Sequence, residues 1–276
     1  MKPILQPIIT VSEFQQLTRT ENLILIDAGS GNPARARYNA EHLAQALYVD
    51  LNAELAEITD DAANGGRHPL PAWKKFASVL GTLGIHTASH VVVYDDKQGS
   101  NAAARFWWML RAAGHEKVQV LSGGLQSAKG AGIAITAAVT PVETVGPYPF
   151  THWQLPLKTM AEVAQASADD NYLIIDVRDA ERYLGLAEPL DPVAGHIPNA
   201  INLPFKNHLD TNGEFLKAGE ISVLYSAHLE NFKPGNIIVH CGSGVTACHT
   251  LLALAQAGFE IPALYVGSWS EWCRNH

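Results

Sequence analysis

Cysteine is scarce in this chain of 276 residues: there are three, Cys241, Cys248 and Cys273. An odd, sparse set without metal-ligand spacing offers neither a disulfide framework nor a zinc site. Basic excess is lacking as well. With 19 Lys and Arg against 27 Asp and Glu, the formal net charge is -8, which excludes the electrostatic footprint of a nucleic-acid binder or of a basic membrane-surface helix. A small anionic ligand stays compatible, because one local arginine outweighs a diffuse acidic field. No apolar run approaches the ~18 residues of a membrane span. The opening Met1-Lys2-Pro3-Ile4-Leu5-Gln6-Pro7 has no signal-peptide core. The expected location is therefore a reducing cytoplasm, where a free thiol survives.

What is present is a plan repeated twice. Asn22 to Asp27 and Tyr172 to Asp176 are apolar runs that end in aspartate. A histidine and a short strand follow each: His42 with Ala46-Leu47-Tyr48-Val49, and His196 with Ala200-Ile201-Asn202-Leu203. A further buried strand comes next, Val91 to Asp95 in one copy and Ile237 to Cys241 in the other, each with a helix behind it. Strands alternating with helical segments predict an α/β fold with a doubly wound parallel sheet in each half. Three prolines and a glycine between Thr140 and Pro149 cannot sustain a helix or a central strand. The expected division is thus 1–139, a linker over 140–150, and 151–276. The two copies differ where chemistry is expected, since Asp95 stands at the position of Cys241. Only the second half is expected to be catalytic.

The run Ile237-Ile238-Val239-His240-Cys241-Gly242-Ser243-Gly244-Val245-Thr246-Ala247 places a cysteine at a strand–loop–helix junction. Backbone N–H groups of a first helical turn favour negative charge there, and such a position promotes the nucleophilic thiolate. A buried structural cysteine is the plain alternative, against which the glycines on both sides of Ser243 argue for a loop shaped around something. Read as G-x-G-x-x-A, the loop would be a dinucleotide fingerprint, but that motif opens the first βαβ unit of its domain, and strands precede this one. A cysteine phosphatase needs an arginine six residues after its nucleophile, and position 247 is alanine. Sulfur transfer needs a nucleophilic thiol and N–H donors for an anionic sulfur, with no metal or organic cofactor. The loop meets those needs, with the backbone of Gly242, Ser243, Gly244, Val245 and Thr246 expected to cradle the charge.

On these residues, with Gly195-His196-Ile197-Pro198 and the ending Gly267-Ser268-Trp269-Ser270-Glu271-Trp272, the chain resembles the two-domain rhodanese-like sulfurtransferases over nearly its whole length. The resemblance implies two tandem rhodanese-like domains, the first catalytically inactive. It implies transfer of sulfane sulfur from a small anionic donor, through a Cys241 persulfide, to cyanide or a thiol. The thiol acceptor would be of low molecular weight or a thioredoxin-like protein. The loop string looks like the 3-mercaptopyruvate branch; thiosulfate as donor, or a persulfide carrier without small-molecule turnover, are the alternatives. By the same resemblance Ser243 and His68, the latter in His68-Pro69-Leu70-Pro71, manage protons on the leaving group, with Asp50, Asp60 and Asp61 as candidate partners of the imidazole. Arg182 binds the anionic end of the donor. One departure stands out: where mercaptopyruvate enzymes often carry a second arginine, nine residues after the first, this chain has Asp191, an acid that would repel a carboxylate if it faced the cleft.

Overall fold

In the computed structural model the described residues are 5–17 and 22–276; Met1 to Ile4, read above for a leader, lie outside them. The chain divides into two compact units. The first takes Met1–Glu57, Pro71–Gln154 and Thr211–Phe215; the second takes Ile58–Leu70, Leu155–Asp210 and Leu216–His276. The Thr140 to Pro149 stretch forms neither helix nor strand. Its far end packs on the first unit, where Tyr148 donates its N–H to the Ala77 carbonyl and Phe150 is buried.

The first unit holds β1 (Ile8–Ile9), α1 (Val11–Gln16), β2 (Leu23–Gly29), α2 (Gly31–Ala40), β3 (His42–Leu43), β4 (Ala46–Asp50) and α3 (Trp73–Thr82). It continues with β5 (His90–Tyr94), α4 (Ala102–Ala112), β6 (Val118–Leu121), α5 (Gly124–Gly130) and β7 (Ile135–Thr136). The second unit holds α6 (Met160–Ala166), β8 (Leu173–Asp176), α7 (Ala180–Tyr183), β9 (Ala200–Asn202) and α8 (Ala218–Leu229). After these come β10 (Ile237–His240), α9 (Thr246–Gln256), β11 (Ala263–Leu264) and α10 (Ser268–Asn275).

Both units are α/β with a parallel main sheet, as the alternating pattern predicts. The strand orders are β1-β6-β5-β2-β4 and β11-β10-β8-β9. Matched by position, β6, β5, β2 and β4 correspond to β11, β10, β8 and β9. Even the edge repeats: β1 pairs with β6 in the first unit, and Leu157 makes a lone parallel bridge to Leu264 in the second. Runs such as Val91-Val92-Val93 and Ile237-Ile238-Val239 are apolar throughout because both faces of a parallel sheet are covered, and all six residues are buried.

The duplication extends to side chains. Tyr38 stacks on His42 with ring centroids 4.1 Å apart, and Tyr183 stacks on His196 at 4.0 Å. Each tyrosine hydroxyl donates to the carbonyl of the first residue of a main-sheet strand, Ala46 of β4 or Ala200 of β9. In each unit a buried strand aspartate meets an arginine, Asp27 near the end of β2 with Arg37 and Asp176 at the end of β8 with Arg178. A buried carboxylate at a sheet end is tolerable only with such a partner.

Two buried histidines couple this core to pH. Burial pulls both His115 and His208 down to about 4. His115 Nδ1 lies 3.0 Å from the Tyr148 hydroxyl, and His208 Nε2 lies 2.6 Å from that of Tyr225. For a histidine with a depressed folded pKa, the unfolded chain binds the proton first. Stability is then full above about 6.5 and is lost as pH falls from there toward 4, by about 3 kcal/mol for each fully coupled ring. Urea midpoints measured from pH 7 to 4 should fall, and His115→Gln should flatten part of the slope; an unchanged slope in that variant would remove His115 from the account.

Candidate active site

The loop that carries Cys241 forms where β10 ends. In a parallel sheet the carboxyl ends of the strands face the N-termini of the following helices, so a residue just past the strand sits at a polar, positively biased edge. Cys241 occupies that position and is 2 % exposed. The start of α10 holds the loop. Trp269 N–H donates to the Cys241 carbonyl at 3.0 Å, Ser270 N–H to the Gly242 carbonyl at 2.9 Å, and Cys241 N–H to Ser268 Oγ at 3.2 Å. Ser268 itself has φ +54°, a left-handed backbone that a non-glycine residue keeps only when its surroundings impose it. Gly244 is required by geometry: at φ +72°, a Cβ there would stand 2.5 Å from the Val266 carbonyl oxygen. Val245 is buried, and Thr246 opens α9.

Ser243 and His68 come together. Ser243 Oγ and His68 Nδ1 share a hydrogen bond of 2.8 Å, although 175 positions separate them in the chain. His68 belongs to the 58–70 segment, which packs with the second unit. The Gly65-Gly66 turn makes this possible. Gly66 has φ +80°, and a Cβ on it would meet the Gly267 carbonyl at 2.4 Å. Gly65 N–H donates to Glu271, Arg67 N–H to Ser270 Oγ, and Asn275 to the Ala63 carbonyl. Of the acids considered beside His68, Asp61 accepts from Ala63 N–H and Asn64, whereas Asp50 caps Asn52 and Ala53 in the first unit.

Arg182 lies against the loop. A Cβ at Gly242 would be 3.3 Å from its Nη1 and 3.4 Å from its Nη2. Its Nη2 also bonds Glu188 at 2.7 Å. Asp191 does not face outward as an acid that repels a donor. Its side chain is fully buried and receives Arg67 at 3.1 Å, Arg274 at 2.9 Å and Arg182 at 3.5 Å. The network continues inward, since Arg178 bonds both Glu188 and Asp176 and covers the Trp269 ring. Four arginines, at 67, 178, 182 and 274, face three carboxylates, at 176, 188 and 191.

Arg67, Glu188 and Arg274 escape a reading of the sequence alone. The available signal was the acid at 191 itself: an aspartate that ends up buried needs cations, and the nearest in sequence is Arg182. The remaining cysteines are both buried. Cys248 is buried on α9 with Sγ 3.3 Å from the Gly244 carbonyl, and burial pushes the Cys273 thiol up. Among the described residues no group of three or more His, Cys, Asp or Glu side chains is arranged to hold a metal ion, and no helix is long and apolar enough to cross a membrane.

The first unit shows what such a loop does with an anion. Asp95, at the position matching Cys241, turns its carboxylate into its own loop. Oδ1 accepts N–H groups of Lys97 and Gly99 at 2.9 and 2.7 Å, and Oδ2 those of Asn101 and Ala103 at 3.0 and 3.1 Å.

A family model described as a rhodanese-like domain matches twice, over residues 10–131 and 159–275, and the chain belongs to that family. Within it the chain is an enzyme of the sulfurtransferase class. It is 38% identical over 240 residues to a Pseudomonas aeruginosa protein named "Probable 3-mercaptopyruvate sulfurtransferase", covering 85% of this chain and 82% of that one. It is 35% identical over 259 residues to the thiosulfate sulfurtransferase of Bos taurus, covering 91% and 84%. Among solved structures, the 3-mercaptopyruvate sulfurtransferase SseA from Escherichia coli superposes with a TM-score of 0.76 at 29% identity, covering 97% of this chain and all of that one.

Proposed function

We propose that the second repeat moves sulfane sulfur from 3-mercaptopyruvate, through a persulfide on Cys241, to a thiol or cyanide, and that the first repeat takes no part in the chemistry. The Cys241 thiolate attacks the donor sulfur. The carbon–sulfur bond breaks, its electron pair goes to the enolate of pyruvate, and the enolate takes a proton. A thiolate acceptor then attacks the outer sulfur of the persulfide and releases Cys241. The acceptor is a low-molecular-weight thiol or a thioredoxin-like protein, and the setting is the cytoplasm. Backbone N–H groups from Gly242 to Thr246 stabilise the anionic sulfur, and Arg182 orients the donor.

The observation that carries the choice of donor is the 2.8 Å bond between Ser243 and His68. An enolate leaving group needs a proton, which a hydroxyl linked to an imidazole can deliver. Sulfite, released from thiosulfate, needs none. Loss of a positioned proton donor costs about 100-fold or more. His68→Asn should therefore lower kcat with 3-mercaptopyruvate by about 100-fold, and far less with thiosulfate, when Cys241 persulfide is followed by mass spectrometry and release to cyanide. Equal loss on both donors would make His68 a prop for the loop. Persulfide that forms with either donor but never turns over would instead favour a carrier for a protein partner.

A further inference from the structure

Asp191 and Arg67 together suggest more than a structural tie. Arg67 Nε bonds Asp191 Oδ1 at 3.1 Å, and its Nη2 bonds Oδ2 at 3.2 Å. Arg182 Nη2 reaches the same Oδ2 at 3.5 Å. One buried carboxylate thus clasps two guanidinium groups side by side. Both groups also press on the backbone directly after the nucleophile: a Cβ at Gly242 would stand 2.9 Å from Arg67 Nη2 and 3.3 Å from Arg182 Nη1. Asp191 is fully buried, whereas Arg67 keeps 24% and Arg182 17% of its side chain exposed. The carboxylate therefore lies behind the arginines, and their outer faces remain accessible. Among the described residues, Nη1 of each arginine makes no hydrogen bond, so each retains N–H donors in a planar fork.

Two like charges at one loop repel each other unless something stands between them. Asp191 supplies the opposing charge and sets the spacing. Glu188 holds Arg182 from its other side, and Arg274 steadies the central carboxylate through Oδ1, the oxygen that Arg67 Nε also bonds. Arg67 is placed independently of the clasp as well, because its own N–H donates to Ser270 Oγ.

We propose that Arg67 is a second donor-anchoring residue and that Asp191 is the positioning residue that holds Arg67 and Arg182 as a paired fork over Gly242. The site so formed takes a carboxylate with an adjacent carbonyl oxygen, the head of an α-keto acid. The charge at 191 is reversed relative to the arginine expected there, and Arg67 from another part of the chain provides the cation. The proposal rests on the sulfur-transfer reading of the same site.

The test compares Arg67→Met, Arg67→Lys and Asp191→Asn with the unaltered protein, using 3-mercaptopyruvate and thiosulfate as donors and dithiothreitol as a neutral acceptor. Losing a charge-assisted contact to an anion corresponds to about a 10- to 100-fold weaker interaction. KM for 3-mercaptopyruvate should rise by about that factor in Arg67→Met, with the loss concentrated in KM rather than kcat. Arg67→Lys should recover part of it, and Asp191→Asn should raise the same KM while both arginines are present. Discharge of preloaded Cys241 persulfide to dithiothreitol reports whether the loop is still formed. An unchanged KM in Arg67→Met, or discharge impaired as severely as loading, would overturn the proposal and leave Arg67 as a structural tie. Absence of any Cys241 persulfide in the unaltered protein with either donor would instead overturn the sulfur-transfer reading.

Discussion

Cys241→Ser should abolish sulfur transfer, by at least about a thousandfold, while the protein stays folded. A serine hydroxyl has nearly the same shape but cannot accept a sulfur atom to form a persulfide. The backbone that defines the loop is bonded through Cys241 N–H, the Cys241 carbonyl and the Gly242 carbonyl, none of which the substitution touches. Exchange of one small buried side chain for another should cost only about 1 kcal/mol. The measurement is whole-protein mass spectrometry after incubation with each donor, beside a thermal unfolding scan. One added sulfur atom should appear on the unaltered protein and be missing from the variant. Persulfide found instead on Cys248 or Cys273 would sink the assignment. Cys248 is buried with its thiol toward the Gly244 carbonyl, and the Cys273 thiol is raised by burial, so neither is prepared to compete.

Asp95→Ala should destabilise the first unit by about 3–5 kcal/mol without altering the donor KM. The carboxylate is 1% exposed and accepts four backbone N–H groups. Each buried donor left without a partner costs about 1–3 kcal/mol. The four costs do not add in full, because the loop can relax and admit water. Burial pushes the Asp95 carboxyl up, against the pull of the four donors. Asp95→Asn should fall between the two, since one carbonyl oxygen can keep only some of the contacts. Denaturant unfolding gives the size of the effect, and faster hydrogen exchange at Lys97, Gly99, Asn101 and Ala103 would locate it. If stability is unchanged, the loop is held by something other than its carboxylate.

Local signals carried much of this into the sequence. Cys241 between a run of β-branched residues and a glycine-flanked serine could be read directly, because strand, loop and helix are contiguous there. The duplication was legible for the same reason, since each copy repeats its order of apolar runs. Lateral strand order was not legible, because it depends on which strands meet in space, and the two-residue strands β1 and β11 are too short to show a pattern. His68 needed the family resemblance, as a histidine before a proline has no local mark of function. Arg67 and Asp191 were invisible as a pair. Their meeting spans 124 positions and depends on the Gly65-Gly66 turn that carries residues 58–70 to the second unit. Read in isolation, Asp191 looked repulsive, because charge at one position has no meaning until its neighbours are known.

The loop around Asp95 also limits what a single substitution can do to the first copy. From Asp95 to the start of α4 at Ala102 there are seven positions, whereas from Cys241 to the start of α9 at Thr246 there are five. The longer loop is wound around a carboxylate that extends further from the backbone than a thiol does. Placing a cysteine at 95 would not build a cradle of the second kind. It would strand the same four N–H groups and leave a loop two residues too long. A loop like that of the second copy would therefore take a deletion and a substitution together, since neither change alone both removes the internal acid and shortens the turn around it.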